Sequence, residues 1–312
     1  MEQNLGPSVM FHHFTDSVHP KGQGAITELE FEDVLNWLES NFKILSPEEF
    51  KFKLSKSTIQ SNEITLTFDD GLRCQIDIAE KVLQQRGLRA FFFVYTSIFT
   101  PNPDPLEIYR HFRTTEFLEI DDFYSDFFDL LEQQNSGMHA LAREKFEEEK
   151  HLADFAYYST NDRFFRYLRD RVLTDTQYIS IMETMMSNKK YDIQNASKHL
   201  WMTPEDIKSL HLNGHAVGMH SQSHPTKMDL LSSELQKSEY ETNFAFLHDI
   251  LGEKPWAMSH PCGQYNPETL RILREMRIDI GFRSNSLLTS NFSNLELPRI
   301  DHADLMKLIS AK

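Results

Sequence analysis

The sequence predicts an α/β fold, a parallel sheet of the kind found in (β/α) barrels. Three observations predict it. Short apolar runs of strand length alternate with segments of helical periodicity. The conspicuous polar residues follow the strands, at the end where barrels of this kind carry their chemistry. The length of 312 residues, 40% hydrophobic and 25% charged, suits one large soluble domain.

Pro7 to Phe11 is a short buried strand ending in the polar turn His12-His13-Phe14-Thr15-Asp16. Leu29, Phe31, Val34, Leu35 and Leu38 recur at helical spacing over residues 27–41. Ser46-Pro47-Glu48-Glu49 is a capping box with proline at the first helical position. Glu63 to Phe68 is the next strand, followed by a helix over 76–85 that Gly87 closes. Arg89 to Tyr95 is apolar throughout and reads as a strand buried on both faces. After residue 200 the rhythm resumes. A helix capped by Thr203-Pro204 leads to the strand His215–Met219, and a helix over 233–251 to the strand Trp256–Ser259. A helix capped by Asn266-Pro267 precedes short strands at Ile280–Phe282 and Leu297–Ile300.

Residues 101–200 break that rhythm. They are rich in Phe, Tyr, Glu and Arg, and Gly137 is their only glycine. They are expected to form a helical insertion within a single domain spanning 1–312, walling the site or meeting another subunit. The aromatic cluster Phe112, Phe117, Phe123, Tyr124, Phe127 and Phe128 is read as helix packing rather than a sugar platform.

The formal charge is −15 and no Lys/Arg block stands out, which argues against nucleic acid as a partner. No apolar run reaches membrane-helix length. Only Cys74 and Cys262 are present, which excludes a small disulfide scaffold. With no basic and apolar leader at Met1–Gly6, the expected location is cytoplasmic. The sequence leaves the oligomeric state open.

The chemistry concentrates in two segments, Thr67-Phe68-Asp69-Asp70-Gly71 and His220-Ser221-Gln222-Ser223-His224. One carboxylate with two imidazoles is a three-ligand set for a catalytic divalent ion. The remaining carboxylate is a ready general base. In an extended chain the adjacent side chains of Asp69 and Asp70 diverge, which suits two different jobs. His12 and His13 follow the first strand at the same end and are candidates for lining a substrate pocket.

Together these segments resemble the polysaccharide deacetylases, the NodB-homology family or carbohydrate esterase family four, over residues 7–99 and 203–302. Thr67 to Gly71 is similar to the family's first motif and His220 to Pro225 to its second. The resemblance implies Asp69 as base and Asp70, His220 and His224 as ligands of a divalent metal, zinc first and cobalt, nickel or manganese as alternatives. The family's third motif, Arg-x-Pro-aromatic-Gly, reads Ser259-His260-Pro261-Cys262-Gly263 here. Ser259 replaces the arginine that orients the base, and Arg299 is the candidate substitute. The backbone N–H of Cys262 keeps the place of the oxyanion donor. The last motif brings a general-acid histidine, for which His302 after Leu297-Pro298-Arg299-Ile300-Asp301 is the candidate.

The resemblance implies a distorted (β/α) barrel of the NodB-homology type, with the large helical insertion, that removes an N-acetyl group from an amino sugar of a glycan or glycan precursor, releasing acetate. Peripheral contact with a lipid-linked substrate is part of that expectation. The alternatives are an O-deacetylase, and a barrel that binds glycan or a partner without turnover.

Overall fold

The computed structural model describes residues 6–152, 158–286 and 293–310. The chain divides into two compact units. One comprises Met1–His19, Ala25–Asp104 and Leu200–Lys312; the other comprises Pro20–Gly24 and Pro105–His199.

In chain order, β1 (Ser8–Phe11) leads to α1 (Glu28–Asn41), β2 (Lys43–Ile44), α2 (Pro47–Ser55) and β3 (Glu63–Phe68). A π-helical turn, Gln75–Glu80, runs into α3 (Lys81–Arg86), which precedes β4 (Phe91–Val94). The second unit holds α4 (Leu106–Thr115), α5 (Ile120–Gln134), α6 (Met138–Lys145), α7 (Thr160–Tyr167), α8 (Asp175–Lys189) and α9 (Ile193–Ser197). Then come α10 (Pro204–Leu212), β5 (Ala216–Met219), α11 (Ser233–Leu251), β6 (Ala257–Ser259), α12 (Pro267–Glu275), β7 (Ile280–Phe282), β8 (Ile300–Asp301) and α13 (His302–Ser310).

The sheet order is β7-β6-β5-β4-β3-β1-β8, and every pairing is parallel. The two-residue β2, which has too little alternation to be seen in the sequence, adds to β3. Leu297 bridges to Phe282 of β7 and Ile300 pairs with Val9 of β1, so one short run touches both ends of the strand order. This is the parallel sheet that the alternation of elements predicts, in the distorted (β/α) barrel that the resemblance implies. The structured strand here is Ile300–Asp301, shorter and later than the run expected from Leu297.

Strand alternation sorts the core into two faces. On one face Phe11, Phe14 and Phe68 meet Phe31 of α1, and Phe68 stacks on Phe92 at 4.7 Å. On the other, Phe91, Phe93 and Phe282 pack with Phe50 of α2 and with Leu297. All four residues of β4 are buried, which explains its unbroken apolar run. On α1 the buried stripe is Phe31, Val34, Leu35 and Leu38, while Leu29 is exposed. The capping boxes at Ser46 and Thr203 form as the sequence predicts.

In the second unit Phe123, Phe127 and Phe165 pack edge to face, with centroids 4.9–5.3 Å apart between Phe165 and the other two. Phe112, Phe123, Tyr124 and Phe127 are buried, so that cluster is helix packing. Gln23 ties the short Pro20–Gly24 segment to the helices by donating to Asp162 Oδ2 at 2.6 Å. No helix among the described residues is long and apolar enough to cross a membrane.

Candidate active site

The site is assembled from the residues that leave the C-terminal ends of β1, β3, β5 and β6, with one arginine from the approach to β8. Thr67 on β3 and Asp69 just beyond it share a side, and both meet Arg299. Asp70 does not continue the strand. Its φ is +78°, and Gly71 follows at +61°. A Cβ on Gly71 would lie 3.0 Å from Val94 Cγ1, so the tight turn requires glycine. The turn changes the outcome expected of two adjacent aspartates. They do not diverge: His220 Nε2 lies 3.3 Å from Asp70 Oδ1 and 4.0 Å from Asp69 Oδ2.

Asp70, His220 and His224 form one buried group whose donor atoms all lie within 4.8 Å of one another. Both Nε2 atoms stand 3.3 Å from the same oxygen, Asp70 Oδ1, which makes no hydrogen bond. His220 Nδ1 is 2.8 Å from the Ser259 carbonyl, which can only accept, so Nδ1 carries the ring proton and Nε2 is left as a lone pair. A lone pair facing a carboxylate oxygen across that distance is repulsive unless a proton or a cation lies between them. Ligands bound at about 2.0–2.2 Å to one tetrahedral ion sit roughly 3.3 Å apart. The donor set and its spacing therefore fit a divalent metal. Burial works against a charge on His220, but Asp69 and Asp70 outweigh it and raise its pKa. Burial likewise opposes the charge on Asp70, and the two imidazoles overcome it, holding the carboxyl well below its usual range.

Asp69 is held differently. Arg299, fully buried, donates from Nη1 to Oδ1 and from Nη2 to Oδ2, both at 2.7 Å. Ser259 Oγ donates to Oδ2 at 3.0 Å and accepts from Arg299 Nη2 at 2.8 Å. Arg299 is itself fixed by bonds from Nε to the Arg283 carbonyl and from Nη1 to Thr67 Oγ1. Burial would raise the Asp69 pKa, but the guanidinium wins and the net shift is downward.

His12 is the partly exposed member of the group. Its Nε2 lies 3.9 Å from Asp69 Oδ2, and its side chain is 27% exposed. The His13 ring lies nearly parallel to it, 6.3 Å away. Tyr95 packs 5.4 Å from the His224 ring and accepts a 2.7 Å bond from Trp201 Nε1. Cys262 is exposed, and its φ of +51° puts it in the left-handed region.

His302 is not brought to this group. Its ring stacks on Phe11 at 5.6 Å, on the α1 face of the sheet, and its Nδ1 is 3.5 Å from Asp301. Alternation gives the reason. Arg299 points to the Asp69 side, so Asp301 follows it and His302 falls on the opposite face. The candidate general acid from the last motif is therefore on the wrong side of the sheet.

Several contributors escaped the sequence reading. Ser259 was visible only as a missing arginine, yet it links Asp69, Arg299 and His220. Glu239 and Asn243, four apart on α11, bond the His220–His224 loop. Their signal is faint: polar residues on the face of a helix that also buries Gln236 and Tyr240.

The family model described as polysaccharide deacetylase matches residues 156–281. That stretch includes His220, His224 and Ser259 to Gly263, and begins after Asp69 and Asp70. No curated protein matches the chain. Among solved structures, IcaB from Ammonifex degensii is similar over 99% of this chain and 97% of its own, with a TM-score of 0.59 and 16% identity. The Streptococcus pyogenes deacetylase PplD, solved in complex with acetate, covers 95% of this chain and 91% of its own at a TM-score of 0.55 and 16% identity. A de-N-acetylase from Aggregatibacter actinomycetemcomitans covers 94% and 93% at a TM-score of 0.56 and 9% identity. At such identities these likenesses speak for the fold. With the polysaccharide deacetylase model matched over residues 156–281, the chain resembles those proteins in fold and in the motifs carried at its strand ends.

Proposed function

We propose that this protein is a metal-dependent hydrolase that removes the N-acetyl group from an amino sugar of a glycan or glycan precursor, releasing acetate. One observation carries the reading. Asp69, oriented through both oxygens by Arg299, stands beside the Asp70–His220–His224 donor set. Asp70, His220 and His224 would hold the divalent ion, zinc by the preference of two imidazoles and a carboxylate; when bound it supplies Lewis acidity and a more acidic water.

The chain's own groups account for the proton movements. Asp69 is ionised at neutral pH and takes a proton from the attacking water. Arg299 and Ser259 keep its oxygens aimed and prevent it from rotating into the donor set. We assign the Cys262 N–H to the acetamide oxygen as it gains charge. As the C–N bond breaks, the amine needs a proton, and we assign that donation to His12 rather than His302. His12 is close to Asp69 and reachable from solvent, whereas His302 packs on Phe11. His13, beside it, is kept as a substrate-contacting residue.

Ser259, standing where the family's third motif has arginine, is the feature that would favour a barrel without turnover. The guanidinium of Arg299 on both oxygens of Asp69 supports the hydrolase reading instead. The test is acetate release from N-acetylglucosamine oligosaccharides with added zinc or cobalt, with O-acetylated xylan as the second substrate. Asp69→Asn is expected to abolish release. Equal rates for variant and wild type would remove Asp69 as base, and faster release from the xylan would make the protein an O-deacetylase.

A further inference from the structure

We infer that Glu239 and Asn243 on α11 are positioning residues that set the metal affinity of the His220–His224 loop. This rests on the proposed role of Asp70, His220 and His224 as ligands.

The loop has a geometric problem. Two imidazoles four residues apart must bring Nε2 to the same carboxylate oxygen, each at 3.3 Å. The backbone achieves this with two left-handed non-glycine residues, Ser221 at φ +64° and His224 at +52°. Such residues persist only where surrounding bonds over-determine them. Here the bonds come mainly from one helix. Glu239 Oε2 accepts from the backbone N–H of Gln222 at 3.0 Å and of Ser223 at 2.8 Å, while Oε1 accepts from Ser223 Oγ at 2.7 Å. Asn243 Oδ1 accepts from the His220 N–H at 3.1 Å. Its amide donates to the Val94 carbonyl and to Thr96 Oγ1, tying the loop to the end of β4. Ser221 Oγ accepts the His224 N–H at 3.0 Å. On the far side the Gln222 carbonyl accepts from the N–H groups of Thr96 and Ser97.

Glu239 and Asn243 are four apart, hence on one face of α11. A single carboxylate gathering two successive N–H groups and a hydroxyl restrains the chain between the ligands. The amide fixes where the first ligand starts. Neither residue belongs to the donor set itself. Their effect is on where the imidazoles stand before any ion arrives, so the quantity they control is affinity.

The experiment is cobalt and zinc titration against a chromophoric chelator, with wild type, Glu239→Ala, Glu239→Gln and Asp70→Ala. Outer partners of metal ligands typically contribute 10–100-fold in affinity, and Glu239→Ala is expected to lose about that much. Glu239→Gln keeps an oxygen for the two N–H groups and a polar partner for Ser223, so it should stay within about threefold. Wild-type affinity in Glu239→Ala overturns the inference. If that variant does not fold, Ser223→Ala decides, because it deletes one of the three bonds; a loss of about fivefold supports the inference and an unchanged affinity overturns it. Asp70→Ala separates the two readings. If it still binds an ion stoichiometrically, the ligand assignment fails, whatever Glu239 does.

Discussion

Arg299 and Asp69, 230 residues apart in sequence, meet through two parallel hydrogen bonds of 2.7 Å, and both residues are buried. Removing one partner of such a buried pair leaves an uncompensated charge. Arg299→Met is therefore expected to cost about 3–5 kcal/mol, measured by denaturant unfolding. Arg299→Lys keeps the charge but loses the fork, and is expected to retain more stability than activity. In Arg299→Met burial regains control of Asp69 and its pKa rises, so the acid limb of the kcat/KM profile moves to higher pH. An unmoved acid limb would show that Asp69 is not the group titrating.

His12 and His302 should respond in opposite ways. Loss of a general acid typically costs 10²–10⁴-fold, and His12→Asn is expected to lose about that in kcat, with little change in thermal stability. His302→Phe preserves the stack on Phe11 and should leave kcat within about threefold, as steady-state kinetics and a melting curve would show together. A reversed pattern would return the acid to the last motif.

Metal removal should be felt as lost stability as well as lost activity. An ion at 100 times its dissociation constant contributes about 2.7 kcal/mol, so chelation is expected to lower Tm and zinc to restore it. Because His220 is biased toward its protonated form, protons and the ion compete for Nε2. Affinity should fall as pH drops below neutrality, as isothermal titration at several pH values would reveal.

Two other histidines set an acid limit on the fold. His215 accepts a bond from the Ala90 N–H, and His260 donates to the Leu295 carbonyl; burial presses both down to about 4. In the unfolded chain each has a pKa near 6.5 and takes up its proton first. The unfolded state then binds more protons between the two values, so stability falls as pH falls from about 6.5 to about 4, by roughly 3 kcal/mol for each residue. His260→Gln is expected to flatten part of that slope in pH-dependent urea unfolding.

The metal-set candidates were legible because Asp69-Asp70 and His220…His224 are short linear patterns, each closing an apolar run. The barrel was legible from its alternation of periods. Arg299 could be named because the third motif lacked its arginine and another buried strand end offered one. What the sequence hid depends on geometry beyond nearest neighbours. The left-handed turn at Asp70 reverses the divergence expected of an extended chain. The face occupied by His302 follows from Arg299 by alternation, but only once Arg299 is known to point inward. Glu239 and Asn243 act through backbone N–H groups, which carry no residue signature.

Supplying the guanidinium for Asp69 from the approach to β8 instead of the end of β6 has a consequence for biosynthesis. A ribosome must deliver the chain through residue 299 before the carboxylate made at residue 69 meets its counter-charge. Until then Asp69 lacks the partner that lets it be buried in ionised form, so this pair forms only once the chain's last strand has been made.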